Sequence, residues 1–229
     1  MSPVTLSALL QLSSPSLPIG GYSYSQGFEA AVEQGLVHNE ASAGVWMTQQ
    51  LEHVVQTCEA PVWVCLHKAW SSNDLSAINH WNTWFLASRE TREVRRETQQ
   101  MGWSLVGLAK ELDWLDEPAA SALAGCTHVS LPCAHAACAH ALGISRDDGL
   151  TAYLFMWLEN QIMAAIKTIP LGQVAGQRLL SLLRSYLPRA CLHALERADA
   201  TPPRLQTLAP QFAILAARHE TQYSRLFRS

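Results

Sequence analysis

Apolar residues recur at alternating spacings of three and four positions through most of this chain, and that periodicity constrains the fold more than any other feature. Residues at those spacings share one face of an α-helix. The last such run is Leu208, Phe212, Leu215, His219, Gln222 and Leu226. Strand-like alternation is almost absent. The sequence therefore predicts an all-α fold, a single-domain bundle of about ten helices.

Prolines mark where several of these helices begin and end. Pro61 is expected to stop or kink a helix that starts near Ser42, and Pro188 to end one that starts near Gly172. Residues 200–204 (ATPPR) form the clearest linker. We therefore expect one domain over residues 1–229, in which residues 200–229 form a C-terminal helix and a partner-binding tail after a Pro-rich linker.

Composition points to extensive buried surface. Hydrophobic residues make up 48% of the chain and charged residues 15%, against roughly 25% charged in a typical soluble domain. The net charge of −3 does not indicate the basic surface that nucleic-acid-binding proteins usually carry. No apolar run approaches the roughly 20 residues of a membrane span, and no secretory signal is recognisable. The six cysteines are then expected to be reduced thiols in a cytoplasmic protein that contacts neither membrane nor nucleic acid.

Motifs typical of catalysis are missing. The chain lacks a GxxxxGK[ST] phosphate loop. His219 and Glu220 begin like the zinc motif HExxH, but Tyr223 stands where the second histidine should be. We therefore expect a protein that is not an enzyme.

A cluster of thiols and imidazoles suggests a metal site. Its members are Cys126, His128, Cys133, His135, Cys138 and His140. On the helix that begins at Pro132, Cys133 shares a face with His140, whereas His135 and Cys138 share another. The two pairs do not converge on one tetrahedral site, so close helix packing is the favoured interpretation. We predict no metal site and keep Cys133, His135, Cys138 and His140 as weak candidates.

Three polar features remain open to two interpretations. The charge run at residues 89–97 fits a solvated helix face with weak ion pairs better than it fits a partner surface. Lys167 complements the dipole at the end of its helix, and it could also meet a partner. Tyr22 and Tyr24 lie on a Gly/Pro-shaped loop, for which recognition and a purely structural role are equally favoured.

The end of the chain is rich in aromatic and arginine side chains. Tyr223, Arg225, Leu226, Phe227 and Arg228 are of the types that anchor protein interfaces. We expect this tail to be too apolar and cationic to be buried in its own chain, so that a partner covers it. The alternative is a C-terminal helix that folds back onto its own core.

Four segments together resemble the UreF family of urease accessory proteins. They are residues 16–29 (SLPIGGYSYSQGFE), 88–93 (SRETRE), 167–173 (KTIPLGQ) and 218–229 (RHETQYSRLFRS). The resemblance covers essentially the whole chain, and the last segment is the most specific. Residues 126–140 are not part of the family pattern.

The resemblance implies a homodimeric, all-α assembly factor without a tightly bound cofactor. Such a protein binds the accessory protein UreD (UreH in some organisms) and, with it, recruits the GTPase UreG to apo-urease. It couples GTP hydrolysis to insertion of nickel, which would pass through the complex into the urease active site.

The resemblance also assigns partner-binding residues. Those matched to recruitment or control of the GTPase are Tyr22, Glu29, Lys167, Tyr223, Arg225 and Arg228. Leu226 and Phe227 match the tail that becomes ordered against UreD. One alternative is a GTPase-activating protein for UreG that supplies Arg225 or Arg228. Another is a nickel-binding chaperone that uses the weak candidates on the cysteine- and histidine-rich helix.

Overall fold

Helices occupy most of the chain and no strand forms. The computed structural model describes residues 1–229. Its α-helices are α1 (Pro3–Leu12), α2 (Phe28–Glu33), α3 (Glu40–Gln50), α4 (Ala60–Ser71), α5 (Leu75–Ala87), α6 (Arg92–Glu111), α7 (Glu117–Ala124), α8 (Leu131–Ala141), α9 (Arg146–Thr168), α10 (Gln173–Leu183), α11 (Leu187–Ala198) and α12 (Pro210–His219).

Two junctions between these helices contain no loop. A π-helical segment (Leu51–Glu59) joins α3 to α4, and a 3-10 turn (Arg184–Tyr186) joins α10 to α11. Twelve α-helices with two continuous junctions make ten rods. The predicted all-α, single-domain bundle of about ten helices is confirmed.

The rod of α3, the π segment and α4 passes through Pro61 without stopping. Pro61 has no N–H to donate, and it lies where the rod changes from π-type pairing, in which the Ala60 N–H donates to the Val55 carbonyl, to the α-helix α4. Close to this change, the carbonyl of Thr57 accepts a hydrogen bond from the N–H of Gln206 at 2.9 Å, and the Thr57 hydroxyl donates to the Gln206 carbonyl at 3.2 Å. The helical rod therefore does not stop at Pro61, which lies in the first turn of α4. Thr57 attaches the linker before α12 to this rod.

Pro188 also does not end a helix. It lies in the first turn of α11, which continues to Ala198. A proline is tolerated there because first-turn N–H groups have no acceptor within the helix. The prediction that Leu179, Leu180 and Leu183 face inward is confirmed, since all three are buried.

The core lies around α4 and α8, which pack against each other, with α6 on the other side of α8. Gly102 in α6 explains how closely these elements approach. A Cβ atom at Gly102 would lie 2.2 Å from the carbonyl oxygen of Val129, in the loop before α8. Only glycine therefore fits at this crossing.

The last helix, α12, packs against α2. Phe212, Leu215 and His219 are buried, as their spacing predicted, whereas Leu208 is exposed in the linker. None of the helices combines the length and the apolar character needed to span a bilayer.

Candidate functional site

The four segments that carry the resemblance meet at one surface. The C-terminal tail, residues 220–229, returns from α12 along the loop before α2. The N–H of Arg228 donates to the carbonyl of Ser23 at 2.8 Å. The N–H and the hydroxyl of Ser25 donate to the carbonyl of Ser229 at 2.9 and 2.6 Å. We call the exposed part of this surface the tail face; it consists of Tyr22, Lys167, Tyr223, Arg225, Leu226 and Arg228.

Glu29, in the first turn of α2, holds the tail through its backbone. One carboxylate oxygen accepts a hydrogen bond from the N–H of Leu226 at 2.7 Å, and the other accepts from the N–H of Phe227 at 3.0 Å. Glu29 is 7% exposed. Hydrogen bonds to a charged acceptor are stronger than neutral ones. The carboxylate therefore fixes the path of the tail while the Leu226 side chain remains exposed.

His219, at the end of α12, lies between two carboxylates. Its Nε2 is 3.1 Å from Glu29 and its Nδ1 is 2.7 Å from Glu93, while the ring is fully buried. A ring nitrogen that carries a proton donates to the carboxylate that it faces, so the imidazole can bridge Glu29 and Glu93. Glu93 also accepts from the guanidinium of Arg225 at 2.6 Å, at the exposed edge of the site. A polar network that is buried at His219 and Glu29 thus connects α2, α6, α12 and the tail.

Glu97, one turn further along α6, anchors the last residue. It accepts hydrogen bonds from the Ser229 hydroxyl at 2.6 Å and from the Gln26 amide at 2.5 Å. Burial raises the pKa of this carboxyl to about 7, although both hydrogen bonds act in the opposite direction. At neutral pH the tail therefore ends against a carboxyl group that is close to its titration midpoint.

Lys167 brings the third segment to the tail face. Its ammonium group donates to the carbonyl of Tyr22 at 3.3 Å. It also lies 5.6 Å from the centre of the Tyr22 ring and 5.3 Å from the centre of the Phe227 ring, within the range of cation–π attraction. Lys167 therefore connects the first loop to the tail, beyond its expected role at a helix end.

The expectation that the tail cannot be buried in its own chain is wrong for part of it. Phe227 is 5% exposed and Ser229 is 3% exposed. Tyr223 is fully exposed and Leu226 is 71% exposed. The physical reason lies in Glu29 and Ser25, which satisfy backbone groups that side-chain composition does not reveal. Of the predicted partner-binding residues, Glu29 and Phe227 lie behind the surface and the others lie on it.

The solvated face favoured for residues 89–97 is wrong at both ends. Arg89 and Glu97 are buried. Arg89 pairs with Glu59 at 3.7 Å, and Glu93 pairs with His219 and Arg225. Arg89 precedes α6, which begins at Arg92, so Arg89 and Glu93 are not neighbours on one helix face.

The cysteine- and histidine-rich helix, α8, lies in the core. Cys133, His135 and Cys138 are fully buried, whereas His140 is exposed. Burial raises the pKa of the Cys138 thiol to about 12 and lowers the pKa of His135 to about 3. Nδ1 of His135 accepts a hydrogen bond from the Trp63 indole at 3.1 Å. No group of three or more His, Cys, Asp or Glu side chains is placed to hold a metal ion.

Sequence reasoning missed Glu97 and Ser25 as anchors of the tail. For Glu97 the signal was present, because it lies four residues before the buried Met101 and eight before the buried Leu105, on the apolar face of α6. For Ser25 no local signal existed, since its partner lies 204 residues away.

Comparison with known proteins gives the class and then the family. The urease accessory protein UreF of Bordetella parapertussis is 56% identical over 220 residues, which cover 96% of this chain and all of that protein. UreF of Cupriavidus necator is 52% identical over 224 residues, covering 98% of this chain and 97% of that protein. These relatives place the chain among the urease accessory proteins.

The model of the UreF family matches residues 37–184. The chain belongs to the UreF family. It is also 56% identical, over 224 residues, to the bifunctional urease accessory protein UreEF of Bordetella bronchiseptica, and it spans about half of that longer protein, 52% of its length.

Proposed function

We propose that this protein is a non-catalytic assembly factor for urease. With UreD (UreH in some organisms) it recruits the GTPase UreG to apo-urease, and it couples GTP hydrolysis to the insertion of nickel, which is cargo. Family membership supports the general role. The observation that carries the specific proposal is the convergence of four distant segments on the tail face.

The tail face divides its residues between contact and positioning. Tyr22, Tyr223 and Leu226 present large apolar surface to solvent, at 66%, 105% and 71% exposure. An aromatic or aliphatic side chain gains about 1.5–3 kcal/mol when fully buried, and only a partner can bury these three. Glu29 and His219 make no such contact; they hold the backbone that presents Leu226.

The docking of the tail on its own chain is easily exchanged for docking elsewhere. Ordering one residue of backbone costs about 1–2 kcal/mol, and the tail has few buried side chains apart from Phe227 to offset that cost. Charge-assisted hydrogen bonds contribute about 1.5–3 kcal/mol each. The entropy cost of ordering the tail and the gain from its hydrogen bonds are similar in size and opposite in sign. The net free energy of tail docking is therefore small, and a partner with a matching surface can rearrange the tail.

Further parts of the proposal follow from composition and from the family. We propose a cytoplasmic homodimer without a resident cofactor, with UreD, UreG and apo-urease as partners and no nucleic acid or membrane. All six cysteines are free thiols in the structure, in keeping with a reducing compartment. The relative named UreEF supports a place within an assembly of accessory proteins.

The test is binding of purified UreD and UreG to the chain lacking residues 219–229, and to Tyr223→Ala and Leu226→Ala variants. We expect the deletion to abolish formation of the complex and each substitution to weaken it by about tenfold, as loss of an interface anchor does. Leu192→Ala, an exposed residue on α11, is the matched control and should bind normally. Normal binding and nickel loading by the deletion variant would exclude the proposal.

The arginine-finger alternative is tested by single-turnover GTP hydrolysis on UreG. Arg225 is paired with Glu93 in this structure, so it would have to leave that carboxylate before reaching a nucleotide. We expect Arg225→Ala to weaken binding of UreG without changing the hydrolysis rate of the saturated complex. Strong acceleration by the intact chain that disappears in Arg225→Ala would favour the GTPase-activating role.

A further inference from the structure

A basic and aromatic line runs along the outer side of α6, away from the core. We call it the α6 stripe; it consists of Arg92, Arg96, Gln99, Trp103, Gly107 and Lys110. Their spacings of four, three, four, four and three residues keep them on one side of the helix. From first to last the stripe extends about 27 Å, at 1.5 Å per residue. None of its residues is acidic.

Trp103 is 73% exposed, at the middle of the stripe. Only two large hydrophobic side chains are more exposed, Val4 in α1 at 78% and Tyr223 on the tail face at 105%. Tryptophan is among the residue types most enriched at the centres of protein interfaces. Most of the Trp103 side chain is left uncovered by its own chain. It is therefore available to act as an interface anchor if a partner supplies a pocket for it.

Gly107 has no use within its own chain. A Cβ atom at Gly102 would meet the backbone at Val129, but a Cβ atom at Gly107 would meet nothing within 4 Å. Glycine inside a helix costs roughly twofold to fivefold in the folding equilibrium relative to alanine. Packing within the chain therefore requires glycine at position 102 but does not require it at position 107. The missing side chain at Gly107 allows another backbone to approach closely.

The charges of the stripe have no partners in the molecule. Arg92, Arg96 and Lys110 form no ion pair, in contrast to Arg89 and Arg225 near the same helix. Two copies of the stripe would place like charges opposite each other, which disfavours a symmetric pairing of this chain with itself. The complement of the stripe is a surface that carries carboxylates.

We propose that the α6 stripe docks an acidic helix of a partner protein, with Trp103 as the central anchor and Gly107 as the point of closest backbone approach. Carboxylates on that helix would face Arg92, Arg96 and Lys110. The stripe begins beside Glu93, which holds the tail through Arg225, so it continues from the tail face. The proposal rests on the assembly function proposed above and adds a second contact to it.

The experiment measures binding of the chain to three purified probes, UreD, UreG and apo-urease, at about 50 and 300 mM salt. Trp103→Ala should weaken binding to one probe by at least about tenfold. Arg96→Glu should weaken the same interaction and reduce its dependence on salt, because attraction between exposed charges is screened. Leu192→Ala and Arg189→Glu are matched controls away from the stripe, and both should bind as the unmodified chain does.

Substitutions at Gly107 separate docking from folding. Gly107→Ala should raise the Tm of the free chain by about 1–4 °C, and Gly107→Leu should leave it at least unchanged, since leucine is also a good helix former. Gly107→Leu should nevertheless weaken binding to the same probe as Trp103→Ala. This opposite response of stability and binding is not expected for a merely structural position.

The outcomes separate this proposal from the assembly function. If deletion of residues 219–229 abolishes binding but every stripe variant binds within twofold of the unmodified chain, the stripe proposal alone is wrong. If the unmodified chain binds none of the probes, both fall together. Binding to anionic vesicles that is lost in Trp103→Ala, with all three proteins bound normally, would replace the protein partner by a lipid surface and overturn the proposal.

Discussion

The cysteine- and histidine-rich helix α8 differs from the tail face in how well residue type predicts the environment of the side chains. In α8, thiols and imidazoles with the chemistry of metal ligands are packed in the core, where burial keeps His135 neutral and Cys138 protonated at pH 7. At the tail face, a stretch with no motif of catalysis completes a network of carboxylates and imidazole that is mostly buried, with the Arg225 guanidinium at its exposed edge.

The difference teaches that residue type is a poorer guide to function than the partners a residue meets. Side chains in α8 meet apolar and aromatic neighbours, such as Trp63 and Tyr153 beside His135, so burial keeps their reactive groups uncharged. Glu29 and Glu93 each meet a ring nitrogen of His219, so polar groups inside the protein have polar partners. Four predictions test this contrast, in order of decreasing effect.

The largest loss of stability is expected at Gly102, where α6 packs directly against the backbone before α8. Gly102→Ala would place a Cβ atom 2.2 Å from the Val129 carbonyl, so α6 must move away from the loop before α8. We expect the free energy of unfolding to fall by more than about 4 kcal/mol in chemical denaturation. Gly107→Ala in the same helix is the control and should raise it by about 0.5–1 kcal/mol. Equal stability of both variants would show that this crossing is not tightly packed.

The next effect concerns the tail. His219→Ala leaves Glu29 and Glu93 buried without the ring between them, and loss of one partner from a buried charge network costs about 3 kcal/mol or more. We expect the tail to detach, so that the amides of Leu226 and Phe227 lose their protection from hydrogen exchange. Tyr223→Ala should leave that protection intact. Amides that stay protected in His219→Ala would mean that Glu29 alone holds the tail.

A third effect is a dependence of stability on pH. The pKa of Glu97 is about 7 in the folded chain against 4.5 for an ordinary glutamate, so the folded state retains a proton that the unfolded state releases. The contribution of Glu97 is therefore largest below about pH 4.5, falls as pH rises towards 7, and is constant above that range.

Glu97→Gln cannot ionise; its oxygen can still accept from the Gln26 amide, and its NH2 group can donate to the Ser229 hydroxyl in place of the bond that Glu97 accepts. We expect it to remove this slope and to stabilise the chain by about 3 kcal/mol at pH 8, measured as the free energy of unfolding across the pH range. Glu33→Gln, at an exposed glutamate of α2, should keep the slope of the unmodified chain. A slope unchanged in Glu97→Gln would assign the pH dependence to other groups.

The smallest effect is expected in α8. Cys138→Ala removes one buried sulfur atom and should cost about 1 kcal/mol of stability. Because no cluster of potential ligands surrounds Cys138, equilibrium dialysis should give equal uptake of Ni(II) by the variant and the unmodified chain. Loss of bound nickel in Cys138→Ala would return α8 to the candidates for a metal site.

The sequence was sufficient for the features that depend on local periodicity. It predicted the all-α class and the buried face of α12, because a spacing of three and four residues has one structural meaning. It was misleading about a helix stop at Pro61 and at Pro188, because both prolines lie in the first turn of a helix that follows without a loop, where a proline is tolerated. Whether a proline ends one helix or begins the next is not visible from the local sequence.

The candidate site was predicted in its residues but not in its arrangement. Tyr22, Lys167 and the tail were recognised separately, yet nothing in the sequence places Glu29 against the backbone of Leu226, 197 residues later. The hydrogen bonds that determine the tail connect main chain to side chain across the whole molecule. Such contacts have no spacing rule, so composition alone predicted an uncovered tail where the structure has a partly covered one.

The attachment of Gln206 to Thr57 has a consequence for the order of events during synthesis. The two residues lie 149 positions apart, and the tail then reaches back 204 positions to Ser25. Contacts of such long range form late, because the intervening chain must already be in place. The tail face therefore cannot form until residues 219–229 have been synthesised, after every helix that they contact. A product truncated before residue 219 would lack these contacts.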